Sequence, residues 1–319
     1  MPTTLHPKHI ENIKPACLVL GGAGFLGSSM AAGLLKAGYP VTIFDRPQIT
    51  FKNIGNLLPS VRIVEGDLNN EEDIRPLLKN HPLLFHFASS TLPAPSNANP
   101  IYDVQNNVVS TLRLLNLAVK YKVKKVIFPS SGGTVYGPSP EIARKETDPT
   151  DPISSYGITK LSIEKYLELY YRLYSLDYLV FRFSNPYGKH QRGGNQGIIS
   201  TFLKLINEGL PISVWGNGTI TRDYIYITDA INAVIKGLDY QGPYRIFNIG
   251  TGIDTTIMHL VDTIRTVTGK SFQMQQLPDR NCDVPWSVLD IKRAQQELNW
   301  EPVTELSAGI KILSDALIN

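Results

Sequence analysis

The sequence predicts an α/β protein built on a doubly wound parallel sheet, with a smaller, discontinuous lobe in its C-terminal half. Three observations carry that prediction. From residue 16 to residue 183, short apolar runs of strand length alternate with stretches of helical periodicity, the pattern of repeated βαβ units. The first strand runs into a glycine-rich turn and a helix, and an acid closes the second strand. Beyond residue 184 the chain departs from this pattern and rejoins it at 224–238 and 245–250, so the lobe consists of two separate stretches. The expected division is 15–183 with 223–250 for the sheet domain, 184–222 with 251–319 for the lobe, and 1–14 for a leader.

The first unit is the most informative. Ala16-Cys17-Leu18-Val19-Leu20 reads as a buried strand, Gly21-Gly22-Ala23-Gly24-Phe25-Leu26-Gly27 as the turn, 28–36 as a helix, and the next apolar run as a strand ending on Asp45. Gly21, Gly24 and Gly27 recur every three residues: one makes the tight turn, one lets a pyrophosphate approach the backbone, one packs helix on strand. The helix amides behind the turn point at the phosphates with the positive end of the dipole. Gly21, Gly24, Phe25, Leu26 and Gly27 are therefore candidate dinucleotide-binding residues. Asp45 stands where a carboxylate accepts hydrogen bonds from the adenine-side ribose diol and repels a 2′-phosphate, which favours NAD over NADP; Arg46 beside it weakens that preference. The expected fold is of the Rossmann type.

The remaining elements follow in order. A polar connection over 47–59 leads to a third strand at 61–65 and then Gly66-Asp67-Leu68. Asp67 with Leu68 either holds and covers the adenine or caps the helix at 71–79, and one side chain can do both. The fourth strand is 83–88, where Ala88 and Ser89 bring a small-residue floor beneath the dinucleotide and His86, between apolar neighbours, reads as a satisfied core histidine. Val104, Val108, Leu112, Leu115 and Val119 give a long helix over 101–121, with Asn107 placed to bond backbone near the site. A fifth strand at 125–128 ends in Pro129-Ser130-Ser131-Gly132-Gly133-Thr134-Val135-Tyr136-Gly137, and a helix from Ser154 runs to about 174.

That last helix carries Tyr156 and Lys160, four apart and so on one face. A free tyrosine titrates near pH ~10 and is a poor base at neutrality. An ammonium one turn away, together with the positive charge of an oxidised nicotinamide, stabilises the phenolate. Tyr156 then takes the proton from a sugar or alcohol hydroxyl while the cofactor performs the oxidation, and Ser131 holds the substrate oxygen or relays the proton. Tyr156 and Lys160 thus count toward both catalysis and cofactor binding, and Ser131 toward catalysis and substrate binding. Spacing alone leaves a purely structural pair open; the preceding cradle and serine-ended strand are what single these residues out.

The glycine turn, the segment from Ser130 to Gly137 and Tyr156-Gly157-Ile158-Thr159-Lys160 resemble the extended short-chain dehydrogenase/reductases, and within them the NAD-dependent nucleotide-sugar epimerases of the UDP-glucose 4-epimerase type. The resemblance runs from residue 16 to about residue 300. It implies transient oxidation at C4 of a UDP-hexose by bound NAD, with Tyr156 as base, Lys160 as its electrostatic partner and Ser131 as hydroxyl partner; some members carry that hydroxyl at the place of Gly132, others one earlier, as here. It implies that Asn185 contacts the substrate diphosphate, that the segment with Trp215 lines the uracil slot, and that Arg222 and Arg280 bind the diphosphate, two guanidiniums suiting two phosphates. Asp283 holds the uridine ribose or orders Arg280. Ser287 stands where the family meets the C2 substituent, and so small a residue leaves room for N-acetylated sugars. The family's dehydratases and decarboxylases place acids before Val-Tyr-Gly, where this chain has Gly133 and Thr134, which favours epimerisation over elimination. A net reductase of the same family and a non-enzymatic dinucleotide sensor are the alternatives. By the same resemblance the helices at 101–121 and 154–174 form a four-helix interface in a homodimer.

Composition bounds the rest. Net charge is +3 over 319 residues and the longest basic cluster is Lys122-Val123-Lys124-Lys125, which is no footprint for nucleic acid. Only two cysteines occur, Cys17 and Cys282, which fits a reducing compartment and excludes a disulfide framework. No apolar run approaches the roughly 20 residues that span a bilayer. The stretch 1–14 lacks an apolar signal core, and a cytoplasmic location in polysaccharide biosynthesis is the expectation, with no membrane partner and no metal.

Overall fold

The computed structural model describes residues 14–47, 49–91, 93–138, 140–191, 197–278 and 284–318. Seven strands form the central sheet: β1 (Cys17–Leu20), β2 (Val41–Asp45), β3 (Arg62–Glu65), β4 (Leu83–His86), β5 (Lys125–Ser131), β6 (Asp177–Phe183) and the later strand Ile246–Ile249. Their spatial order is Ile246–Ile249, β6, β5, β4, β1, β2, β3, and every neighbouring pair is parallel. The chain winds outward from β1 to β3, crosses back to β4 beside β1, and winds outward the other way. The crevice at the carboxyl ends of β1 and β4 is the place where such sheets bind ligands.

Period-two alternation divides the core between the two faces of the sheet. Cys17, Val19, Ile127, Leu179 and Phe181 pack into one cluster with Met30, Ala31 and Leu34 of the helix Phe25–Lys36 and Ile231 and Val234 of Ile227–Gly237. Leu18, Leu20, Val126, Phe128 and Val180 pack into the other, with Leu77, Leu114, Leu115, Ile163 and Leu167 from three further helices. Strands buried on both faces with helices covering each face are what the run of short apolar segments requires.

Local boundaries depart from the sequence reading in instructive ways. The first helix begins at Phe25 rather than Ser28, because the glycine turn closes so tightly that the Ser28 N–H already bonds Gly24 C=O, 2.9 Å. The connection expected over 47–59 contains a 3₁₀ helix, Phe51–Ser60, whose Asn53 amide bonds Ala23 C=O at 3.1 Å and so braces the turn. Asn70, not Asp67, caps the helix Glu71–Leu78, its side chain accepting from Glu72 N–H. The helix predicted at 101–121 is three joined pieces, Pro100–Asp103, a π-helical turn Val104–Val109 and Ser110–Lys120.

Beyond β6 the chain builds smaller units: Asn185–Tyr187 paired with Tyr224–Tyr226, Ile212–Trp215 paired with Met274–Leu277, and a three-stranded group of Thr255–Thr256, Thr221–Arg222 and Trp286–Ser287. The first core cluster continues without a break into the helices here, through Phe202, Leu203, Leu260, Ile264 and Ile310. Among the described residues no helix is long and apolar enough to cross a membrane.

Candidate active site

The glycine turn is shaped by what a side chain would strike. Gly21 has φ +75°, and a Cβ there would lie 2.7 Å from the backbone of Ala88. A Cβ on Gly27 would lie 2.1 Å from Gly21 O, an overlap no relaxation absorbs. Gly24 differs, meeting only Gly21 O at 3.3 Å, so its Cα face is open toward the crevice. The helix that follows has no side-chain cap and no acid in its first turn, which leaves its N-terminal amides and dipole uncompensated, a ready site for a pyrophosphate. Asp45 is buried at the end of β2 and accepts from Ala23 N–H and Arg46 N–H, both at 2.9 Å. Two amide bonds leave lone pairs on that carboxylate for a ribose diol. These features fit a dinucleotide.

The crevice has a volume of about 670 Å³. Into it the structure brings Gly21, Gly24, Phe25, Leu26, Gly27, Ser89, Ser131, Tyr156, Lys160, Asn185, Trp215 and Arg222 together. Ala88 and Asn107 line a small adjoining cavity with Tyr156, Lys160 and His86. Asp45, Arg46, Asp67, Leu68 and Ser287 are not in the crevice wall. Asp67 is exposed and bonds its own loop, its carboxylate taking Asn69 N–H at 2.9 Å and its N–H donating to Asp73. Leu68 packs on the second core cluster. Ser287 lies behind Gly133, its Oγ 3.8 Å from where a Cβ of that glycine would sit. Arg280, Asp283 and Cys282 fall outside the described residues.

Tyr156 and Lys160 sit in the first turns of the helix Ser155–Tyr174. Three side chains cap that turn: Ser154 Oγ accepts from Gly157 N–H at 3.2 Å, Asn97 Oδ1 from Ser155 N–H at 2.8 Å and Ser96 Oγ from Tyr156 N–H at 3.0 Å. The Lys160 ammonium donates to Pro129 C=O on β5 at 2.9 Å and lies 5.5 Å from the Tyr156 ring centroid. Ser131 ends β5 beside it. Burial pushes the Tyr156 phenol up to about 12, and the negative charge of Asp103 acts in the same direction. Burial pulls Lys160 down to about 8 against the charges of Glu164 and Asp103. In the chain alone, burial and Asp103 hold the phenol up, so the lowering expected from the lysine together with an oxidised nicotinamide rests on the charge of that second partner.

Three groups escaped the sequence reading. Asp103 is fully buried in the helix opposite, and Asp223 is fully buried behind Arg222, its carboxylate taking the N–H groups of Thr251 at 2.8 Å and Gly252 at 3.2 Å. The third is the ion pair of Arg182 on β6 with Glu164, one turn beyond Lys160; Arg182 Nη1 also donates to Tyr136 Oη at 2.8 Å, and Ser130 Oγ donates to Glu164. A strand arginine amid Phe181 and Phe183 was the one signal for the last. His86 is only half satisfied: its Nε2 bonds Thr111 Oγ1 at 2.8 Å, while Nδ1 is buried with no protein partner. Thr111 donates its own proton to Asn107 C=O, so Nε2 carries the imidazole hydrogen and Nδ1 is a bare lone pair. Asn107 accepts from Ser90 N–H at 3.1 Å, the backbone contact anticipated for it.

A glycine cradle at the sheet's switch point, an acid closing β2 and a half-buried tyrosine one turn from a buried lysine, both facing one crevice, together describe a dinucleotide-dependent α/β enzyme. The NAD dependent epimerase/dehydratase family profile matches residues 17–250. The chain is 36% identical over 299 residues to a putative UDP-glucose 4-epimerase of Methanocaldococcus jannaschii, covering 92% of this chain and 95% of that one. It is 32% identical over 311 residues to the dTDP-4-dehydro-6-deoxyglucose reductase of Escherichia coli, covering 93% and 96%. Among solved structures, the UDP-glucose 4-epimerase of Thermotoga maritima with UDP-glucose superimposes with a TM-score of 0.89 at 34% identity, covering 95% of this chain and 98% of that one. The chain belongs to the NAD dependent epimerase/dehydratase family.

Proposed function

We propose that the protein is a nucleotide-sugar 4-epimerase acting on UDP-hexoses, with UDP-glucose and UDP-galactose as the pair interconverted and their N-acetyl forms accepted. The observation that carries this reading is the wall of the crevice that Tyr156 shares: it holds Ser131, Gly133 and Thr134 and, among the described residues, no acid, so it offers a hydroxyl to a carbinol and nothing there to drive elimination. Tyr156 Oη takes the proton of the C4 hydroxyl and gives it back, Ser131 Oγ holds the C4 oxygen meanwhile, and Lys160 balances the phenolate and bonds the ribose beside it. When bound, NAD supplies reversible oxidation of the C4 carbinol and, in its oxidised form, the positive charge that lowers the phenol. Gly21, Gly24, Phe25, Leu26 and Gly27 hold its pyrophosphate, Asp45 and Arg46 its adenosine ribose, Asp67 and Leu68 its adenine, and Ala88, Ser89 and Asn107 the floor under it.

Substrate binding is assigned to Asn185, Arg222 and Arg280 at the diphosphate, Trp215 at the uracil, Asp283 at the uridine ribose or on Arg280, and Ser287 toward C2. These residues divide the chain into a cofactor domain, 15–183 with 223–250, and a substrate lobe, 184–222 with 251–319. The protein is placed in the cytoplasm, in polysaccharide biosynthesis, as a homodimer through the helices around 101–121 and 154–174; Ile101, 71% exposed, and Leu173, 61% exposed, support that surface. The similarity to a reductase favours one second reading, net reduction of a nucleotide sugar. Incubating the protein as purified with UDP-, dTDP- and GDP-hexoses, once with no added cofactor and in parallel with added NADH, decides between them: C4 epimers in UDP-sugars without added cofactor are expected, whereas stoichiometric consumption of NADH in the parallel incubation with a reduced sugar would make it a reductase.

A further inference from the structure

Asp103 is fully buried, with 0% of its surface exposed, and among the described residues it makes no salt bridge. Both its oxygens are instead occupied by side-chain donors from three separate segments. Oδ1 accepts from the Thr91 hydroxyl in the loop after β4 and from Asn107 Nδ2 at 2.8 Å; Oδ2 accepts from Ser155 Oγ and Thr159 Oγ1, both at 2.7 Å. Ser155 and Thr159 are the residues immediately before Tyr156 and Lys160. One carboxylate therefore grips the reactive helix at two points one turn apart, each adjacent to a proposed catalytic side chain. Asn107, one turn after Asp103 in the π-helical turn Val104–Val109, also donates through Nδ2 to Asp103 C=O at 3.1 Å, while its Oδ1 holds Ser90 N–H next to Ser89 of the crevice. Burying a carboxylate is costly unless every lone pair is engaged, and a site needing only a helix brace is served at lower cost by apolar packing. The expense points to a role for the charge.

We propose that Asp103 is a positioning residue for the reaction, holding Tyr156 and Lys160 in register with the crevice floor through Ser155 and Thr159 while presenting a fixed negative charge to that pair. The proposal rests on the epimerase reading above. Burial works against ionisation of this carboxyl, but the Thr91, Ser155 and Thr159 hydroxyls and the Asn107 amide outweigh it and hold the group below the ordinary carboxylate range. The charged and titratable groups around the pair are then Asp103 and Glu164 on the acidic side and neutral His86 across the small cavity. Because Asp103 opposes loss of the phenolic proton, Tyr156 becomes a base only when a cation occupies the crevice, and returns to an acid when that charge is gone.

The test compares wild type with Asp103→Ala and Asp103→Asn, each with its bound NAD. In the Asn variant the Ser155 and Thr159 hydroxyls can reverse and accept from the new amide, so the brace survives and only the charge is lost. Asp103→Ala is expected to lower kcat about tenfold to a hundredfold, as small misplacements of reacting groups do, with KM little changed. Asp103→Asn is expected to keep most of kcat but to move the acid limb of its pH profile to lower pH by on the order of one unit. Tyrosinate absorbance, with Tyr156→Phe as the blank, should titrate lower by the same amount, a readout that needs no turnover. An Asp103→Asn protein whose profile and titration coincide with wild type overturns the proposal, whether or not the Ala variant folds. So does a folded Asp103→Ala protein with wild-type kcat. Epimerase-inactive wild type would instead defeat the functional reading, and the phenol titration would then still decide whether the charge acts on Tyr156.

Discussion

Tyr156→Phe is expected to lower kcat for UDP-glucose epimerisation by about 10²–10⁴-fold, the range for loss of a positioned acid–base group. KM and NAD content should hardly change. The substitution removes one oxygen from a ring whose place is set by other groups, namely the capped first turn, the Ser96 contact to its own N–H and the Asp103 grip on its neighbours. Among the described residues, nothing else lining the crevice offers an equivalent base. Lys160 is committed to Pro129 C=O, Ser131 is a neutral hydroxyl, and the His86 lone pair lies in the small cavity behind the pair. Steady-state kinetics with NAD quantified on the released nucleotide checks this; a variant within threefold of wild type would remove Tyr156 from the mechanism.

Glu164→Gln should cost about 3–5 kcal/mol of stability, the penalty for stranding one member of a buried ion pair. Glu164 and Arg182 are each 2% exposed, and the guanidinium reaches the carboxylate through Nε and Nη2. An amide keeps the shape, but its NH₂ would face N–H donors of Arg182, leaving a charge buried without a counterion. Because Ser130 and Tyr136 hang on the same pair, the loosened network extends to the turn that carries Ser131 and, one helical turn away, to Lys160. Urea unfolding reads the loss. The double variant Glu164→Leu, Arg182→Met should fall less than the sum of its singles, since it removes both charges at once. A Glu164→Gln protein within about 1 kcal/mol of wild type would show that water reaches the pair.

Much of the sheet was legible because its inner strands are buried on both faces, unlike the edge strand β3. The run from Cys17 to Leu20 is wholly apolar, and glycine at 21, 24 and 27 has a backbone or crevice reason at each position. Boundaries were less legible where side chains rather than periodicity set them. The 3₁₀ helix at 51–60 has a Gly and a Pro within it and no clear period, and its use shows only in tertiary contacts, Ile54 in the first core cluster and Asn53 on Ala23. The π turn Val104–Val109 falls in a stretch that periodicity assigns to an ordinary helix.

Around the crevice, residues next to glycines or at strand ends could be read as candidates from local pattern. Asp103, Asp223 and Glu164 did not, because their partners lie far away in sequence: Thr91 and Ser155 for the first, Thr251 and Leu289 for the second, Arg182 for the third. Local pattern carries no record of such pairings. The opposing influences on Tyr156, burial and Asp103, likewise come from tertiary packing and leave no local pattern in the sequence.

The central claim is that hydrogen leaves C4 of a UDP-hexose and comes back to the opposite face of that carbon, with Tyr156 handling only the proton on oxygen. UDP-glucose deuterated at C4, incubated in ordinary water with the protein as purified, tests it directly. UDP-galactose that still carries deuterium at C4 is the result predicted. UDP-galactose whose deuterium has washed into water would show that a base attacks carbon, and the reading of this crevice would be wrong.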